Sequence, residues 1–166
     1  MSAAMRNGLV VAALHAAIVG SLGGKLLIDR ATRPRVWARA APVDPDLPIR
    51  GRYVSLRLEV HQDPALDATT VETRGVALAA RDGRLVAVSP PDAHGLHARP
   101  TVRAGERLLV LGPPVAYFIP EHAADPSRLA SGEELWVEVT IPRAGAPRPI
   151  RLGVKKDGVL TPLDLD

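Results

Sequence analysis

His94 and His97, spelled HGLH, and His122 beside Glu121 are the residues of this chain best suited by type to chemistry. Imidazole and carboxylate ligands together hold zinc or iron. Their spacing is loose, however, and the first pair falls in SPPDAHGLHARP (89–100), a stretch that reads as an exposed loop. No pattern of supporting hydrogen-bond partners surrounds them, so no metal site is expected. Serine catalysis needs a base poised by position, and the chain offers neither a G-x-S-x-G elbow nor a convincing Ser–Lys pair. Glu133 and Glu134 read as solvated residues at a strand entrance rather than as an acid–base pair. No glycine-rich loop leads from a strand into a helix, and the absence of cysteine removes disulfides, thiolate metal sites and cysteine nucleophiles. The chain leans away from enzymatic chemistry and implies no cofactor. A hydrolase-like enzyme using Glu121 and a nearby histidine stands as an alternative.

Charge narrows the partners. The net charge is +3, but residues 1–40 alone carry +5 and the remaining 126 residues carry −2. The basicity flanks one apolar stretch, and the rest lacks the single-sign field that a phosphate backbone requires. Two Trp, two Tyr and one Phe are too few for a base-stacking platform, so no nucleic-acid partner is expected.

The elements that would position any site begin with that apolar stretch. GLVVAALHAAIVGSLGG, residues 8–24, holds 17 residues without a formal charge, and LLI continues beyond Lys25. A bilayer core needs roughly 20 helical residues, with about 17 as the lower bound, and Lys25 can snorkel to the interface. A single spanning helix over residues 8–28 is expected, with the lipid bilayer as its partner. The competing reading is a cleaved signal peptide, but GSLGG is a poor cleavage site and ARA at 38–40 lies too far downstream. Small residues recur at Ala12, Ala16, Gly20 and Gly24. Such a ridge lets helices approach closely, through a polytopic membrane protein or self-association, although it also follows from an Ala- and Gly-rich composition. His15 is either a polar contact to another helix or a tolerated neutral imidazole. Lys25, Arg30, Arg33, Arg35 and Arg39 follow the uncharged stretch 8–24 closely against Arg6 before it, which by the positive-inside rule would hold the rest of the chain in the cytoplasm.

Residues 29–49 read as a connector, basic and then Pro-rich. Pro34 interrupts any helical extension, Trp37 suits a headgroup level or packs on the folded domain, and Pro42, Pro45 and Pro48 make an extended, stiff approach. From residue 50 the period is two. In RGRYVSLRLEV, Tyr53, Ser55, Arg57 and Glu59 share one face and Val54, Leu56, Leu58 and Val60 the other. Further strands are expected at 74–80, 84–89, 107–112, 115–119, 134–141, 149–154 and 159–163. Asp82-Gly83 and KKDG mark hairpins. The fold expected is all-β, a small barrel or sandwich over 50–166 preceded by one transmembrane helix, with a helical turn at most in DPSRLASGEE.

GRYVSLRL at 51–58, preceded by PVDPDLPIR and followed by YFIPE at 117–121, resembles the membrane-anchored bacterial proteins named for their GDYXXLXY motif. The order of features matches across nearly the whole chain, and Gly51, Tyr53 and Leu56 match the motif, as do Tyr117, Phe118, Pro120 and Glu121 in the second element. The motif's Asp is Arg52 here and its final Tyr is Leu58, which removes any role resting on those two groups. The resemblance implies a single-pass protein of the bacterial inner membrane with a periplasmic β domain, opposite to the charge count. It implies an accessory to a multi-spanning membrane protein and no reaction. Gly51, Tyr53, Tyr117, Pro120 and Glu121 either build the strand entry or converge on one groove for a small ligand or peptide.

Overall fold

The computed structural model describes residues 2–43, 52–91, 95–143 and 145–165. It divides into two compact units, Met1–Arg33 and Pro34–Asp166.

The first unit is helix α1, Ala3–Thr32. Ser2 caps it by accepting from the Met5 amide, and the chain leaves at Arg33 in extended geometry because Pro34 excludes a helical conformation in the residue before it. The helix therefore exceeds the expected 8–28 at both ends. Its stretch Met5–Thr32 is long and apolar enough to cross a membrane, and no part of it is buried by protein. Leu9, Leu14, Ile18 and Leu22 are all more than half exposed. Its polar side chains bond within the helix: His15 Nδ1 lies 2.8 Å from the Val11 carbonyl oxygen, and the Ser21 and Thr32 hydroxyls donate to Ile18 and Ile28 carbonyls. Side-chain back-bonding of this kind lets a hydroxyl or imidazole sit on an apolar helix without an external partner.

The second unit is one ten-stranded sheet with a short helix: β1 Arg35–Val43, β2 Tyr53–Gln62, α2 Ala68–Arg74, β3 Ala77–Arg81, β4 Arg84–Val88, β5 Ala98–Arg103, β6 Glu106–Leu111, β7 Val115–Phe118, β8 Glu133–Thr140, β9 Arg148–Lys156 and β10 Val159–Pro162. The fold is all-β as expected. It is not a closed barrel, for the strand path runs from β10 to β5 and those ends do not pair. Strand β2 is the hub. One edge takes β1 along Ser55–Glu59 and then β4 at His61 and Gln62, while the other takes β7 along Tyr53–Leu56 and β6 along Glu59–His61. Strands β1 and β2 are paired at Arg39↔Glu59 and separate beyond it, and β4 enters the fork parallel to both, at Trp37↔Arg84 and His61↔Val86.

The alternation read in β2 is real: Val54, Leu56, Leu58 and Val60 are buried, with Leu56 and Val60 fully so. They meet Val36, Ala38 and Ala40 of β1 and Leu135, Val137 and Leu152 of β8 and β9 in one core. Three hairpins close through two-residue turns in which both residues have positive φ, Asp82-Gly83, Ala104-Gly105 and Asp157-Gly158. This primed geometry matches the strand twist and favours Asp-Gly.

Four expectations need correction. Residues 35–43 are not a connector: they form β1, with β8 on one edge and β2 and β4 on the other. Pairing with β8 stops at Arg39, so Pro42 lies where one edge of the strand has no partner and its missing N–H costs little. The stretch 89–100 is not all loop, since β5 begins at Ala98. Residue 74 closes helix α2, capped by Asp67, rather than opening a strand. DPSRLASGEE holds no helix; Asp125 instead bonds the Ser127 amide and hydroxyl in a local turn. Pro45, Pro48 and Gly51 lie outside the described residues.

Candidate functional site

The motif residues occupy the first half of β2 and the β7 strand beside it. Register places Tyr53 opposite Phe118 and Val54 opposite Tyr117. Because side chains alternate across a strand, Tyr53 and Phe118 share one face, with ring centroids 5.9 Å apart, whereas Tyr117 faces the other way and packs on the core. Leu56 is fully buried. Arg52, where the motif has an acid, donates to the Glu121 carbonyl oxygen and accepts at its own carbonyl from Ile119 N, tying the start of β2 to the end of the second element. The Glu121 side chain is exposed and Pro120 half-buried. A hollow of about 350 Å³ at this end is edged by Tyr53, Ser55 and Asp125, and Tyr117, Pro120 and Glu121 do not line it. Alternation sends Tyr53 and Tyr117 to opposite faces, so these two do not share one groove, and Gly51 lies outside the described residues. Hydrogen bonds from the Ser127 hydroxyl and amide hold the Asp125 carboxyl below its ordinary value, and the charges of Arg128 and Arg52 add to this.

The histidines singled out in the sequence are only partly described. His94 lies outside the described residues, His97 and His122 are exposed, and no three His, Asp or Glu side chains cluster for a metal among the described residues.

The second half of β2 carries a different arrangement. Where β1 and β2 part around β4, the polar face of the sheet opens into a cleft of about 290 Å³. Trp37 and Arg39 come from β1, Glu59 and His61 from β2, Arg84 from β4, Glu106 and Leu108 from β6, Trp136 from β8 and Lys155 from β9. Period-two alternation puts Trp37 with Arg39, and Glu59 with His61, on this face while their neighbours enter the core.

Charges cross the cleft as a chain. Glu59, only 10% exposed, accepts from Arg103 Nη1 at 2.8 Å, and its other oxygen lies 3.7 Å from Arg39 Nε. That second oxygen is buried and has no hydrogen bond, the only such side-chain atom among the described residues. Arg39 extends its Nη2 to Glu134 at 2.8 Å, and Glu134 also accepts from the Trp136 indole N–H at 3.2 Å. His61 Nδ1 meets Glu106 at 2.9 Å. Glu134 is thus not the solvated carboxylate expected of it, because the register Arg39↔Trp136 brings β1 beside it. Glu133 turns to Lys156 and the Ala130 amide.

Both indoles lie flat against a cation: Arg151 sits 5.4 Å from the Trp37 ring and Lys155 Nζ 4.6 Å from the Trp136 ring. The Trp37 ring crosses Gly153 so closely that a Cβ there would come within 3.0 Å of it and of the Thr161 carbonyl oxygen. Of the two places open to Trp37 in the sequence, the structure shows the one on the domain.

The sequence singled out Trp37, Glu59 and Glu134 one by one but not as a cleft, and only the register of β1, β4, β6 and β8 brings them together with His61. No family model, curated protein or solved structure matches this chain.

Proposed function

We propose that this chain is a single-pass, membrane-anchored accessory protein of the bacterial envelope, without enzymatic activity, whose β unit serves another membrane protein from the periplasmic side. The observation that carries the anchor is the 28-residue stretch Met5–Thr32, apolar enough to span a bilayer and unburied by protein. Side chains such as Leu14 and Ile18 would lose roughly 1.5–3 kcal/mol each if left in water rather than in an apolar medium. His15, Ser21 and Thr32 already bond to carbonyls of their own helix, which suits immersion in lipid.

The ridge Ala12, Ala16, Gly20 and Gly24 supports contact with another helix, since a Cβ at Gly20 or Gly24 would meet nothing within 4 Å. The periplasmic side rests on the motif resemblance and opposes the cluster of cations after the span. A phosphatase fused after Asp166 decides between them: an active fusion supports the periplasm, and a silent fusion with an active cytoplasmic reporter refutes it. Crosslinking in native membranes followed by mass spectrometry tests the partner. A reproducible adduct with a multi-spanning protein is the expected result, and recovery of monomer alone contradicts the accessory role.

A further inference from the structure

The cleft at the β1–β2 fork has an imbalance of charge that selects a ligand. Each carboxylate in or beside it already has a cationic or imidazole partner: Glu59 has Arg103 and Arg39, Glu134 has Arg39, and Glu106 has His61. Arg39 is committed to two of them. The two remaining cations on its wall have no carboxylate within ion-pair distance among the described residues. Arg84 stands exposed at the start of β4, and Lys155 rests on the face of Trp136 instead of on Glu134, its directly opposed neighbour in β8. Two cations without a salt bridge among the described residues, lining one cleft, raise the local concentration of anions and can donate charge-assisted hydrogen bonds to an oxyanion. The rest of the lining includes Leu108 and the two indoles, Trp37 under Arg151 and Trp136 under Lys155.

We propose that this cleft binds a small anionic ligand, a carboxylate or phosphate group carried on an apolar body, with Arg84 and Lys155 on the anion and Leu108 and the exposed indole edges beside the body. At about 290 Å³ the cleft suits a ligand of modest size and not a folded partner. The buried carboxylate of Glu59 pairs with Arg39 and Arg103, so the anion is met by Arg84 and Lys155. This site goes beyond the anchoring role proposed above and stands or falls independently of it.

The chain contains two tryptophans, and both line the cleft, so tryptophan fluorescence reads occupancy directly. The full chain in phosphatidylcholine nanodiscs is titrated with phenyl phosphate, inorganic phosphate and, as the neutral control, benzyl alcohol, each against sodium chloride of matched ionic strength. The expected result is a saturable change with phenyl phosphate, a weaker one with inorganic phosphate and none specific to benzyl alcohol. Arg84→Gln with Lys155→Gln should weaken phenyl phosphate binding by about tenfold or more, as loss of charge-assisted hydrogen bonds implies. The single variant Arg84→Gln, at an exposed strand start, supplies the same reading if the double variant melts early. Repeating the titration in nanodiscs containing phosphatidylglycerol separates two sources of the anion. Competition with phenyl phosphate identifies a lipid headgroup as occupant, and undiminished binding identifies a soluble ligand. A fluorescence response no different from sodium chloride, or variants that bind as the wild type does, overturns the proposal.

Discussion

Helix α1 and strand β2 are both rich in Leu and Val, yet their apolar side chains meet opposite fates. In β2 every second residue enters a core, leaving Leu56 and Val60 without exposed surface; in α1 the apolar residues point all round the helix and remain more than half exposed. A period-two pattern has one face to hide and finds a partner in its own sheet. A helix apolar on every side has no such single face to hide in a sheet. The same residue types thus stabilise the sheet domain in one place and in the other make a helix long and apolar enough to cross a membrane.

The largest effect that would break this comparison is Leu56→Ala. Removing a fully buried side chain should cost about 2–5 kcal/mol, read by chemical denaturation, while Leu14→Ala in α1 leaves the β unit's transition unchanged. An equal loss from both would erase the distinction. Next comes Ala16→Arg, which places a charge near the middle of α1 at a cost of about 2.5–3.5 kcal/mol for insertion. It should release the chain from membranes and leave the melting of the β unit as it was, checked by alkaline carbonate extraction and circular dichroism.

Glu59→Gln sharpens the comparison within β2, since it alters the polar face while sparing the core. Two guanidiniums lose their shared carboxylate at a site only 10% exposed, so a loss of about 1–3 kcal/mol is expected by denaturation. The smallest effect is at Asp125. Its carboxyl is held low in the folded state, so its contribution is present at neutral pH and fades as pH falls through the folded value, below about pH 4. The side chain is 39% exposed, and solvent screening keeps the difference between wild type and Asp125→Asn to a few tenths of a kcal/mol at neutral pH. That difference should close on acidification in paired urea melts.

Much of the fold was readable where a single local rule decides it. Uncharged length marked α1, alternation marked β2, and Asp82-Gly83 and Asp157-Gly158 marked their turns because those residues tolerate positive φ. The third such turn, Ala104-Gly105, was hidden because Ala at φ 49° carries no turn signature. Strand β1 was hidden for a different reason. Its inward residues include the small Ala38 and Ala40, its outward ones are Arg35, Trp37 and Arg39, and Pro42 falls inside it, so burial is supplied by partners distant in the chain. The cleft was the least legible part: no spacing along the sequence encodes that β4 will part β1 from β2.

The motif end and the cleft end of β2 repeat the lesson on a smaller scale. Leu56, Tyr53 with Phe118, and Arg52 bonded to the Glu121 main chain build the strand's entry. The cations without a carboxylate partner among the described residues, Arg84 and Lys155, line the cleft at the fork.

The central claim, that an apolar N-terminal helix stays on the chain and holds it in a bilayer, is tested most directly by intact-mass measurement of the native protein recovered from carbonate-washed membranes. The expected result is a mass including α1, with the protein in the pellet and released only by detergent. A mature chain starting near residue 41 and found in the supernatant would contradict it.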